Sequence, residues 1–284
     1  MKWKYFTQSL AKSVRRSSFA CPSCGNRKSS VVDRKFIITT LRRCSNCELL
    51  FRAPTTSESE NRSFYQVGYE QGFTTEIPSK QRLSQLIASE FKGSNKDYSA
   101  YINIIRALGI HAGQRLLDFG CSWGYGSWQL RNAGYDVQAF EVSSSRCAFA
   151  RSELGLNAVE TIECIDPPFD CFFSAHVIEH VPSVSRMLTF ARRSLRLGGL
   201  FVAFTPNGSS LNRQLNPRLW HALWGFVHPQ LIDERFCART LSPDPYLLAS
   251  RPFSATDIAA WDQKTPTQLS LTGDELLVVL KKCS

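Results

Sequence analysis

The sequence predicts an α/β protein, a parallel sheet alternating with helices, behind a small cysteine-bearing module. Three observations carry this. Leu116-Leu117-Asp118-Phe119-Gly120-Cys121-Ser122-Trp123-Gly124-Tyr125-Gly126 reads as a buried strand, a tight turn and the start of a helix. Val137–Phe140 is a second apolar strand, and it ends in an acid, Glu141, about 20 residues beyond the turn. Cys21-Pro22-Ser23-Cys24 and Cys44-Ser45-Asn46-Cys47 form two close cysteine pairs near the N-terminus.

The turn reads as a ligand site. Gly120 has no Cβ, so a ligand can approach its backbone. Gly124 and Gly126 let turn and helix pack tightly. A carboxylate such as Glu141, at the tip of a neighbouring parallel strand, can accept both hydroxyl hydrogens of a ribose. No Walker lysine follows the glycines, and Ser122, Trp123 and Tyr125 crowd the space a pyrophosphate would need. An adenosine ligand without phosphates fits better, and S-adenosylmethionine is the obvious one. A glycine-bearing loop of an unrelated α/β protein is the bland alternative.

These residues resemble motif I of class I S-adenosylmethionine-dependent methyltransferases, with Ser122 at the usual middle glycine. The resemblance spans roughly residues 78–284 and implies a Rossmann-like, seven-stranded methyltransferase sheet. It implies that Asp118 and Gly120 border the methionine part of the cofactor and that Glu141 holds the ribose. The expected cofactor contacts are Asp118, Phe119, Gly120, Ser122, Gly124, Glu141, Val142 and Ser174.

The 284 residues are 43% hydrophobic, enough for a sizeable core. Ten cysteines, mostly beside apolar residues, fit a reduced, cytoplasmic protein better than a disulfide scaffold. No apolar run reaches bilayer-spanning length. The formal net charge is +10, and twelve Lys and Arg up to Arg52, against Asp33 and Glu48, account for all of it. A basic N-terminal part fits nucleic acid, a nucleotide-linked sugar, a membrane surface or merely a solvated face.

Residues 1–19 are a basic arm with Trp3, Phe6, Leu10 and Val14 at roughly helical spacing. Residues 20–54 are expected to form a zinc ribbon, since two Cys-x-x-Cys pairs place Cys21, Cys24, Cys44 and Cys47 around one tetrahedral ion. Four sulfurs leave no open position, so this zinc would be structural. The run Arg43-Cys44-x-x-Cys47-Glu48-Leu49-Leu50-Phe51 is similar to the ribbon ahead of sugar and natural-product methyltransferases. In that family tyrosines follow, and Phe64, Tyr65 and Tyr69 stand in that place here, by analogy near the substrate entrance.

Residues 55–79 read as a linker and 80–284 as the methyltransferase domain. Helices are expected over Lys80–Phe91 and Tyr98–Leu108, then after the glycine turn and over Ser145–Leu154. Ala158–Cys164 is the third strand, with Glu160, Glu163 and Asp166 as candidates for the adenine amine that the resemblance implies. Cys171–Ser174 is the fourth strand. His176 follows its end, where ligands of open α/β sheets sit. Glu179 and His180 are placed on the first turn of the next helix, in the family's Leu-Glu-His-Val position. Leu200–Phe204 is the fifth strand, and Pro245–Ala249 and Glu275–Leu280 are the last two. Residues 208–227, with Trp220 and Trp224, are too long for a plain connection and read as a lid or as a packed surface helix. A helix over Ile232–Arg239 follows His228.

His176, His180 and His228 are the candidate bases, because an imidazole can take a proton near neutral pH. The expected chemistry is methyl transfer to oxygen or carbon of a small-molecule or nucleotide-sugar acceptor, in surface polysaccharide or secondary-metabolite biosynthesis. The alternatives are an RNA base methyltransferase gripping through the basic ribbon, and a non-catalytic binding protein that keeps the fold.

Overall fold

The computed structural model describes residues 19–35, 38–56, 60 and 76–284. The basic arm before residue 19, and the aromatics Phe64, Tyr65 and Tyr69, lie outside the described residues.

The N-terminal module is antiparallel: β1 (Ser29–Lys35), β2 (Thr39–Cys44) and β3 (Leu50–Ala53). Then come α1 (Lys80–Ala88), α2 (Ser99–Ala107), β4 (Arg115–Phe119), α3 (Tyr125–Asn132), β5 (Asp136–Phe140), α4 (Ser144–Leu154) and β6 (Asn157–Val159). The second half runs β7 (Phe169–Ala175), α5 (Val184–Ser194), β8 (Leu195–Pro206), α6 (Ser210–Leu215), α7 (Pro217–Leu223), β9 (Gln230–Leu231) and α8 (Glu234–Leu241). The chain closes with β10 (Tyr246–Ser250), α9 (Ala255–Ala259), β11 (Thr267–Gln268) and β12 (Glu275–Lys281).

The main sheet has the order β11-β10-β12-β8-β7-β4-β5-β6. Its β6-β5-β4-β7-β8 part is parallel, and β12 runs antiparallel between β8 and β10. The seven expected strands are there, and the two-residue β11 adds an eighth at the edge. The chain builds outward from β4 to β6, then returns to start β7 on the other side of β4. This reversal opens a crevice at the carboxyl ends of β4 and β7, where ligands of such sheets bind.

Period-two alternation buries both faces of the sheet. Leu117, Phe172, Phe201, Leu276 and Val278 pack with Met187, Leu188 and Phe236 on one side. Leu116, Phe173, Val202, Phe204 and Leu277 pack with Ile102, Ile105 and Ile258 on the other. Helix starts follow local chemistry. The Ser183 and Asp233 side chains accept the N–H of Arg186 and Phe236 and so cap α5 and α8.

Several boundaries differ from expectation, each for a local reason. The third strand is only Asn157–Val159, and the chain then turns into a 3-10 segment over Ile162–Cys164. Glu179 and His180 sit in the turn before α5, because Ser183 supplies the cap and the helix cannot start earlier. Ile232 precedes α8, which begins only after the Asp233 cap.

The larger difference concerns the N-terminal module. β9, from the main domain, pairs with β3, so the small sheet is four-stranded, β1-β2-β3-β9. Leu41 and Leu50 pack with Trp220, Trp224 and Leu231. Segment 208–227, expected as a lid, is thereby tied down as α6 and α7, with both tryptophans buried against the module. Arg43 reaches the fully buried Asp233 at 2.6 Å, Lys35 bonds the Trp224 carbonyl, and Ser23 meets Ser185. The module is an integral flank of the main domain.

Candidate functional site

The backbone of the glycine turn is shaped for close contact. Gly120, Ser122 and Gly124 have φ of +89°, +55° and +92°. Such left-handed positions suit glycine and strain a serine. Ser122 is held there by two groups. Its N–H donates to Glu141 Oε2 at 2.9 Å and its Oγ accepts from Arg146 Nη1 at 2.5 Å, and the residue is 5% exposed. Gly126 sits under the Tyr98 ring, where an added Cβ would lie 2.3 Å from a ring carbon.

Glu141 follows the last residue of β5 and is 4% exposed. Its carboxylate accepts the N–H groups of Ser122 and Ser143, at 2.9 and 2.8 Å. Burial raises its pKa, and these donors with Arg146 pull the other way. A carboxylate has about four acceptor sites, so about two remain for ligand hydroxyls.

Asp118 lies buried beneath the turn, with Ser127 Oγ donating to it at 2.5 Å. Burial drives its pKa up to about 7, and the negative Glu141 adds to the rise. Val142 presents a 40% exposed side chain at the rim, an apolar surface suited to a flat base. Ser174, next to the last residue of β7, has its buried Oγ lacking a hydrogen-bond partner among the described residues. The Phe119 ring stacks on Phe140 and Phe172 in the core, so only its backbone faces the crevice. Trp123 also turns inward, 1% exposed beside Phe91 and Phe149, and does not crowd the turn as expected. Asp166 pairs with Arg115 at the start of β4, the opposite edge of the sheet from the crevice. It is thus removed from the adenine candidates.

The three candidate histidines gather around one carboxylate. Glu179 is completely buried, and Thr205 Oγ donates to its Oε2 at 2.9 Å. Its Oε1 lies 3.5 Å from His176 Nδ1 and 3.6 Å from His180 Nε2. The His180 and His228 rings are 5.0 Å apart. Burial alone would raise the Glu179 pKa, but His180, His176 and His228 outweigh it and hold it at about 2.

His176 takes a left-handed φ of +55°, with Nε2 2.7 Å from Glu275 Oε1. Partial enclosure works against its charge, but Glu179 and Glu275 prevail and raise its pKa to about 10. It is therefore a cation at neutral pH and a poor proton acceptor. His180 goes the other way, since burial lowers its pKa.

Sequence reasoning missed Glu275, Tyr101, Arg251 and Thr205. Glu275 starts β12 opposite Pro206, at the crevice edge, and bonds Tyr101 Oη at 2.6 Å and Arg251 at 2.5 Å. Its sequence signal is a single acid heading the apolar run Leu276–Leu280.

The four cysteines converge as expected. Cys21 and Cys47 sulfurs are 3.6 Å apart and those of Cys24 and Cys44 are 3.5 Å apart. Zinc–sulfur bonds of about 2.3 Å imply tetrahedral edges of about 3.8 Å. Gly25 and Glu48, which follow the two pairs, share a left-handed φ of +74° and +63° and close matching knuckles. The donor set and its size fit a structural zinc.

Residues 117–203 match the methyltransferase domain family. The ubiquinone biosynthesis O-methyltransferase of Paramagnetospirillum magneticum is 36% identical over 109 residues, covering 36% of this chain and 42% of that protein. The malonyl-[acyl-carrier protein] O-methyltransferase of Pectobacterium atrosepticum is 27% identical over 141 residues, covering 45% and 56%. The chain thus spans about half the length of the curated relatives it matches. Among solved structures, the geranyl diphosphate C-methyltransferase of Streptomyces coelicolor A3(2) aligns with a TM-score of 0.51 and 13% identity, over 80% of this chain and 100% of that one. The architecture is that of the Rossmann-like class I methyltransferases, and at this identity the structural likeness speaks for the fold alone. Among the described residues, no helix is long and apolar enough to cross a membrane.

Proposed function

We propose that this protein transfers a methyl group from S-adenosylmethionine to an oxygen or carbon of a small-molecule or nucleotide-linked sugar acceptor. One observation carries the reading: the left-handed Gly120–Gly124 turn stands beside a buried Glu141 at the switch point of a parallel sheet. The unpartnered Ser174 Oγ and the exposed Val142 at the same crevice fit an adenosine-bearing ligand. Bound there, S-adenosylmethionine supplies an electrophilic methyl carbon, and the protein mostly orients the acceptor and excludes water. Two partial relatives named as O-methyltransferases favour oxygen over carbon.

The acceptor would lie against the histidine cluster at the ends of β7 and β8. Glu275, Tyr101 and Glu179 hold His176 as a fixed cation beside it. His180 and His228 flank Glu179. The RNA alternative loses support, because Arg42, Arg43 and Arg52 of the ribbon bond to Ser29, Asp233 and Thr56 within the protein. A ligand-binding role alone does not account for three imidazoles gathered on one buried carboxylate.

Calorimetric titration with S-adenosylmethionine, S-adenosylhomocysteine and NAD tests the reading. Binding of the first two and not of NAD is expected. Tight NAD binding with no response to the sulfonium compound would overturn it.

A further inference from the structure

Glu179, His180 and His228 offer three ligand atoms that all lie within 4.8 Å of one another. Two of the side chains are oriented by a second partner. Thr205 donates to Glu179 Oε2, and the fully buried Oε1 has the His176 Nδ1 at 3.5 Å, too far for a good hydrogen bond. The His228 Nδ1–H donates to the Leu223 carbonyl at 2.7 Å, so in the neutral imidazole the lone pair is on Nε2. His180 lies beside the Val227 backbone and turns Nε2 toward Glu179 Oε1 at 3.6 Å. That separation is too long for a hydrogen bond. It is close to the ligand–ligand edge of about 3.0–3.4 Å that metal bonds of about 2.1 Å produce. An imidazole fixed through one nitrogen by a backbone carbonyl, next to an oriented carboxylate, is how proteins prepare metal ligands.

We infer that Glu179, His180 and His228 bind a divalent first-row cation, separate from the four-cysteine site. Two imidazoles and one carboxylate are a borderline-hard donor set that suits Mn²⁺, Fe²⁺, Co²⁺ or Zn²⁺, whereas four thiolates select zinc. Three ligands leave open positions. Both imidazoles are only partly buried. His176 Nδ1 approaches the same Glu179 oxygen at 3.5 Å while Glu275 holds its other nitrogen, so it closes the cluster on a further side. On the methyl-transfer reading, which this step extends, the open positions take an acceptor with two adjacent oxygens, such as a vicinal diol or a catechol. A cation there would lower the pKa of the hydroxyl to be methylated.

The ribbon has a part in this. His228 stands two residues before β9, whose partner is β3 of the cysteine module, and the Pro229 carbonyl accepts the Arg52 N–H at 2.7 Å. One of the three ligands is thus positioned by the zinc-ribbon contact.

The test uses the full chain with its cysteine site loaded with zinc. Mn²⁺ is titrated and followed by electron paramagnetic resonance, since manganese does not favour thiolates. One Mn²⁺ per chain is expected, with binding weakened at least about tenfold in His228→Gln and in Glu179→Gln. Circular dichroism and zinc content show that each variant is folded, and His228→Gln carries the test if the buried Glu179→Gln is not. No Mn²⁺ binding, or binding unchanged in a folded His228→Gln, overturns the site. S-adenosylmethionine binding is measured on the same sample. Its loss with manganese retained overturns methyl transfer and leaves the cation site standing, and the converse removes the cation site alone.

Discussion

Glu141→Ala separates the structural role of this carboxylate from its role toward a ligand. The side chain accepts two backbone N–H groups in a buried pocket, from Ser122 and Ser143 at 2.9 and 2.8 Å. Each buried donor left without a partner costs about 1–3 kcal/mol, so the alanine variant should lose roughly 2 kcal/mol or more of stability. About two acceptor sites remain for ribose hydroxyls, and even one hydrogen bond to a charged group contributes about 1.5–3 kcal/mol. Affinity for S-adenosylmethionine should therefore fall about tenfold to a hundredfold beyond any loss from unfolding. Glu141→Gln keeps one acceptor oxygen and should destabilise less while losing a similar share of affinity. Urea denaturation gives the first quantity, and calorimetry at a temperature where each variant is folded gives the second. An alanine variant with an unchanged denaturation midpoint, or with affinity within twofold of the parent, would refute the assignment of Glu141 as both clasp and anchor.

Two further outcomes follow from the geometry. Asp118 has its pKa raised from 3.8 to about 7, so its contribution to stability is present below pH 4 and is lost as pH rises toward 7, by on the order of 4 kcal/mol. Asp118→Asn keeps the acceptor for Ser127, so its urea stability measured from pH 4 to 8 should gain on the parent as pH rises, and parallel curves would contradict this. Cys44→Ser should lose zinc by metal analysis and loosen the ribbon. Because Leu41 and Leu50 bury Trp220 and Trp224, tryptophan emission should shift to the red, and unchanged emission in a zinc-free variant would detach the two effects.

The parts legible in the sequence were those written in short spacing. The strand, turn and helix around Asp118–Gly126, the acid ending the next strand and the two cysteine pairs all lie where the chain alone places them. Local sterics and hydrophobic periodicity decide such elements within about ten residues. The paired apolar positions Leu116/Leu117, Phe172/Phe173 and Leu276/Leu277 send one side chain to each face, which is the pattern of a sheet buried on both sides.

Tertiary structure decided the rest. Glu275 is 99 residues from His176 and meets it only because β12 runs antiparallel to β8 and starts where β8 ends. His228 joins His180 only because β9 crosses to the cysteine module. The tryptophans of 208–227 were equally consistent with a lid or a packed helix until the ribbon supplied the surface that buries them. The charge state of His176 follows from two carboxylates brought by different strands and turns, and no local pattern encodes their sum. Sequence by itself determined the fold class, the ligand-side turn and the four sulfurs, because each is set by near neighbours. Which imidazoles share a carboxylate was decided by sheet order, because those contacts join residues that only the closed fold brings within reach of one another.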